Sequence, residues 1–157
     1  MSTREQVVET VRQRRFDELE AIVSKDRRTV RILVGMTYDA DRELRGAAAR
    51  GLALAARHHP VLVGEVVRRL VWAMNDESGT NALYAPETLR AIAEERPEML
   101  VDVLPDLMRL SADPGLHEAL VEVARLVGTR CPQQAGQRMQ EGLRHCGQGG
   151  ERGDRRA

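Results

Sequence analysis

Residues 32–60 read ILVGMTYDADRELRGAAARGLALAARHHP, and this stretch decides the architecture. Val30, Leu33 and Val34 fall on one face of a helix, residues 38–41 (YDAD) form a polar turn, and Leu44, Ala48, Leu52 and Ala55 recur at helical spacing beyond it. The second helix is rich in Ala and Gly, residues that let helices approach closely. Pro60 ends the unit.

The same plan recurs downstream. Val63, Val67, Leu70, Val71 and Met74 line one helix, a longer polar turn follows, and Leu89, Ile92 and Ala93 line the next before Pro97. In a third round Leu100, Leu104, Leu107 and Met108 precede a turn at Asp113, and Leu116, Leu120, Val123 and Val127 follow it up to Pro132. Asp39, Asp76 and Asp113 lie 37 residues apart, and Pro60, Pro97 and Pro132 lie 37 and then 35 apart. The period predicts an all-α fold: a short α-α superhelix, or solenoid, of three to four stacked antiparallel helix pairs, with units at 27–60, 61–97 and 98–132. The Asp residues are expected to cap the second helix of each unit, and the Pro residues to open the next unit where the missing N–H costs nothing.

Flanking segments complete a single domain over residues 1–146. Thr3 and Gln6 have capping-box spacing, followed by Val7, Val8 and Val11, which predicts a helix over about residues 3–14. Phe16, Leu19, Ile22 and Val23 carry the apolar face onward, and pattern leaves open whether they form a separate helix. Ala135, Met139 and Leu143 predict a closing helix; residues 147–157 are nearly devoid of apolar side chains and read as a disordered tail. Burial of Val7, Val8 and Val11 at one end, and of Met139 and Leu143 at the other, is left open between an internal site and another copy.

Composition agrees. The 157 residues are 42% apolar but only 3% aromatic, so the core rests on Leu, Val, Ile, Met and Ala. The balance of 24 basic against 24 acidic residues offers no bulk positive potential for nucleic acid or an anionic membrane, and no specific nucleic-acid or membrane partner is expected. Arg12, Arg14 and Arg15, and Arg152, Arg155 and Arg156, are interspersed with or followed by acids and read as solvated faces. No apolar run approaches a bilayer span and no leader-like h-region is present, which predicts a cytoplasmic protein, with Cys131 and Cys146 as reduced thiols.

The segment 32–60 resembles a HEAT repeat: an apolar first helix, a D-x-D turn, an arginine a few residues on, and a small-residue second helix. Asp39 and Asp41 stand where that family carries turn acids and Arg45 where it carries its turn arginine. The resemblance covers about residues 27–132, and it is weaker in the second and third units, where Ala82 and Ala119 repeat the position of Arg45. It implies a scaffold or binding module whose partner is another protein. Some bacterial HEAT-like proteins are cofactor lyases or base-repair enzymes, and no residue set here carries either activity over.

The second unit departs from the plan in residues 72–87, WAMNDESGTNALYAPE, with the only tryptophan of the chain. Asn75, Asp76, Glu77 and Ser78 are good turn and cap residues, and Pro86 with Glu87 suits a first helical turn, so a structural reading covers most of the segment. The functional reading makes Trp72, Asn75, Asp76, Glu77, Ser78, Tyr84 and Glu87 a partner contact on a rigid scaffold. The rival is a small ligand-binding or enzymatic protein using the acidic loop 75–87. That loop supplies only carboxylates, without a nucleophile, base and orienting group. No catalytic residue, cofactor or metal ligand is assigned: adjacent His58 and His59 point about 100° apart on a helix, and Cys131, His145 and Cys146 lack zinc spacing.

Overall fold

The structure is a computed structural model that describes residues 1–76 and 80–148, leaving aside the side chains of 80–83 and 145–148. Helices α1 (Thr3–Arg12), α2 (Phe16–Lys25), α3 (Arg28–Met36), α4 (Arg42–Ala55), α5 (Pro60–Asn75) and α6 (Thr80–Glu95) follow one another. A 3₁₀ segment, Pro97–Val103, then leads into α7 (Leu104–Leu110), and α8 (His117–Arg130) and α9 (Pro132–Gln148) complete the chain. Among the described residues there is no strand. The fold is all-α, and its helices stack in two rows: α2, α4, α6 and α8 lie side by side, while α3, α5, α7 and α9 form the other row.

The repeat is visible in backbone geometry. His59, Arg96 and Cys131 precede Pro60, Pro97 and Pro132, and their φ/ψ values are −132/61°, −140/75° and −130/59°. The proline ring excludes the α region from the residue before it, so each helix must stop there. The three N–H groups donate to the carbonyls of Ala55, Ile92 and Val127 at 2.8, 2.7 and 2.8 Å. Each proline then opens the next element, where its φ is already suitable and no donor is missed.

Asp39 and Asp113 also share one geometry, but not the predicted one. Asp39 Oδ1 accepts from the Asp41 N–H and Asp113 Oδ1 from the Gly115 N–H, both at 2.8 Å, so each folds the turn rather than capping the following helix. The cap of α4 is Asp41, whose Oδ1 accepts from the Glu43 and Leu44 N–H groups. Asp76 is the C-cap of α5.

Further expectations are corrected. The N-terminal capping box is Ser2 with Glu5, not Thr3 with Gln6, because Ser2 holds the extended conformation and Thr3 is already helical. Helix α1 stops at Arg12 and α2 is separate. Arg14 adopts a left-handed φ of 54°, its N–H donates to Val11 O and the Arg15 N–H to Thr10 O, which is a Schellman stop with arginine where glycine is usual. The connection in the second unit is as short as its neighbours, since α6 begins at Thr80 and contains Pro86 inside it instead of at its first turn. Helix α9 extends through Gln148, so Gly147 and Gln148 are helical, and residues 149–157 of the expected tail lie outside the described residues.

The core runs the length of the stack. Leu19, Leu33, Leu52, Leu89, Ile92, Leu100, Leu107 and Leu120 are fully buried, and Val7 and Val11 are internal with them. Close approach is built in at Gly51, where an added Cβ would lie 2.9 Å from Leu19 Cδ2 and 3.0 Å from Leu33 Cδ2.

Candidate contact site

The described side chains of segment 72–87 divide into outward and inward parts. Trp72 lies on α5 in the exposed stripe that also carries Val61, Glu65 and Arg68, opposite the face that buries Val63, Val67, Leu70 and Met74. Its indole is 71% exposed. Asn75 and Asp76 are also exposed. The amide of Asn75 is tied to the third unit, where Arg109 Nη1 donates to its Oδ1 at 3.2 Å. Glu77 and Ser78 lie outside the described residues.

Tyr84 and Glu87 point the other way, into the seam between units. The Arg45 guanidinium carbon sits 4.0 Å from the Tyr84 ring centroid, and Arg45 Nε donates to Glu87 Oε2 at 3.0 Å. Arg45 Nη1 donates to the Asp39 carbonyl at 2.9 Å. One buried arginine therefore closes its own turn and grips the next repeat, with cation–π attraction and an ion pair acting together. Arginine suits this post because its planar fork serves several acceptors at once while its face stacks on an aromatic ring.

Other links between units share this separation of about one repeat. His59 Nε2 donates to the Val23 carbonyl at 2.7 Å, Arg96 Nη1 to Ala56 O at 3.3 Å and Arg138 Nε to Asp102 O at 3.3 Å, while Arg130 bonds the Glu94 carbonyl. Glu20 of α2 meets His58 at 3.0 Å and Arg57 at 3.4 Å, and Arg57 also pairs with Glu95 of α6. The hydrogen bond from His58 and the charge of Arg57 hold the Glu20 carboxyl below its ordinary value against the opposing effect of partial burial. His58 and His59 thus clamp α4 to α2, each through a different acceptor. Sequence reasoning identified the two residues but not this role, because the acceptors lie in another helix.

Among the described residues no group of three His, Cys, Asp or Glu side chains is arranged to hold a metal ion, and Cys131 is a half-buried free thiol. Among the described residues no helix is long and apolar enough to cross a membrane. A cleft of about 340 Å³ between the end of α1 and the α3–α4 turn is lined by Arg12 and Arg14 facing Asp39, Asp41 and Glu43. Two arginines of the N-terminal basic cluster thereby share a cleft with acids of the same chain. Compared with models of known families, with curated proteins and with solved structures, the chain finds no match in any of the three.

Proposed function

We propose that this chain is a HEAT-type interaction module that binds another protein in the cytoplasm, with Trp72 at the centre of its contact. The observation that carries the reading is the exposure of the only tryptophan on a rigid helix, next to a connection whose neighbours are anchored. Exposed aromatic side chains on a fixed scaffold lose little entropy on binding and supply much apolar area, which is why they dominate interface energetics. Arg45, bonded to its own turn and to the next unit, supports the family reading, because it is one of the residues on which the resemblance rested, with Asp39, Asp41 and the small-residue second helix. Tyr84 and Glu87 are engaged by that arginine, so among the described residues the reading centres on Trp72 and Asn75 on the outer face of α5 and Asp76 at its end, with Glu77 and Ser78 outside the described residues.

The test is affinity capture from the native lysate with the tagged wild type, Trp72→Ala, and Arg90→Ala as a control on the other row. A protein retained by wild type and control but lost from Trp72→Ala supports the reading. A protein retained equally by all three contradicts the placement of the site, and capture of nothing by any form contradicts the module itself.

A further inference from the structure

The 37-residue register reaches the surface of the row that contains α3, α5 and α7. Thr29, Val66 and Val103 are buried at one position of the three units, and Leu33, Leu70 and Leu107 at another. By the same register Arg31 of α3 and Arg68 of α5 share an outward position, and Gly35 and Trp72 share the one a turn further on. Helix α3 packs beside α5, so equivalent positions on the two lie about 8–10 Å apart.

The arginines of the two rows are placed differently. On α4, α6 and α8, or just beyond them, Arg45, Arg57, Arg90 and Arg125 each hold a carboxylate. On α3 and α5, Arg28, Arg31, Arg68 and Arg69 are exposed, and among the described residues none of the four guanidiniums has a hydrogen bond or an ion pair. Glu65 is the only acid on these two helices and holds none of them. In a chain of balanced charge, uncompensated positive charge thus gathers on the face that carries the exposed indole. The third unit ends that face, because Asp102 and Asp106 stand where α5 has Glu65 and Arg69, and Asp106 pairs with Arg109.

Guanidiniums without a partner on a rigid backbone stay available to carboxylates, which they grip through two parallel hydrogen bonds, and their summed field speeds the encounter with an anionic surface. The flank of the indole toward α3 is open, since a Cβ added at Gly35 would meet nothing within 4 Å. We propose that the protein partner docks through a short acidic segment, with its carboxylates on Arg31, Arg68 and Arg69 and an adjoining apolar side chain on Trp72 above Gly35. This rests on the reading of Trp72 as the contact and adds the chemistry of what it meets. A short segment suits the face better than a nucleic-acid strand, because the positive area is two helices wide and a longer polyanion would run onto Asp102.

The experiment is selection of a random peptide library on the immobilised full chain, followed by affinity measurement of the selected peptides by fluorescence anisotropy. Circular dichroism checks that each variant keeps its helices. Wild type is expected to select peptides in which acids flank an apolar or aromatic residue. Their affinity should fall about tenfold or more in Arg31→Glu and in Arg68→Glu, and should weaken with added salt. It should be unchanged in Arg144→Glu, which reverses an exposed charge on α9, away from this face. Selected peptides without acidic enrichment, or with affinity that both reversals leave intact, overturn the proposal; if Trp72→Ala still loses those peptides, the contact at Trp72 stands and only its acidic partner falls. Acid-rich peptides that Trp72→Ala binds as tightly as wild type overturn the seat on the indole. A library that yields no binder overturns the acidic segment, while the lysate capture decides the module separately. An oligothymidylate strand that binds more tightly than any selected peptide, and is weakened by the same two reversals, overturns the proposal in favour of nucleic acid.

Discussion

Arg45 and Glu87 are joined by a 3.0 Å ion pair that crosses from one repeat to the next, with the Tyr84 ring beneath the guanidinium. The arginine side chain is 11% exposed and the glutamate 36%, so the pair sits half inside the seam between units. It couples the α3–α4 turn to α6 and makes two residues of the second unit part of the scaffold.

Arg45→Ala is therefore expected to destabilise the fold by about 2–3 kcal/mol, because it strips the Asp39 carbonyl, the Glu87 carboxylate and the Tyr84 face of one shared partner. Urea unfolding followed by circular dichroism checks this. A double-mutant cycle with Glu87→Ala should isolate about 1 kcal/mol of coupling, less at high salt because the carboxylate is partly solvated.

Two glycines should respond oppositely to alanine. Gly51→Ala forces a methyl group against Leu19 and Leu33 and should cost about 1–3 kcal/mol. Gly136, inside α9, has nothing within 4 Å of the added carbon. Gly136→Ala should stabilise by about 0.5–1 kcal/mol through helix propensity alone. Unfolding midpoints of the two variants decide, and equal shifts would contradict the close approach of α4 to α2 and α3.

The Glu20–His58 contact gives the acid limb of stability a defined contributor. Hydrogen bonding from His58 comes first in lowering the Glu20 carboxyl below 4.5, so the folded state releases this proton more readily than the unfolded chain does. Its contribution is fully present above 4.5 and is lost as pH falls through the lower folded value. Glu20→Gln should flatten the decline of the unfolding midpoint below pH 5 and lower stability at pH 7. An acid limb unchanged in the variant would contradict the contact.

The repeat was legible because its markers are backbone rules: a proline dictates the conformation of the residue before it, and an aspartate at a turn finds the N–H two residues on wherever it stands. What misled was local ambiguity. Ser2 and Thr3 are both good caps, with Glu5 and Gln6 each at the right distance, and only the chain's entry angle chooses between them. Arginine at position 14 gives no sign of a left-handed residue, so the break between α1 and α2 was invisible. Pro86 reads as a helix start because that is where proline is best tolerated, yet α6 carries it in its interior. The candidate segment could be picked out in the sequence, but its division into two faces could not. Tyr84 and Glu87 look like contact residues in sequence, and their partner Arg45 stands a full repeat away, where spacing within the segment says nothing of it.

Because Trp72 is the only tryptophan, its fluorescence reports the proposed contact without labelling. In the free protein its emission should resemble solvated indole and be readily quenched by iodide. The most direct measurement is that emission and quenching upon titration with the captured partner. The account predicts a blue shift and protection from iodide at saturation; emission and quenching unchanged in a complex shown to form would contradict Trp72 as the contact.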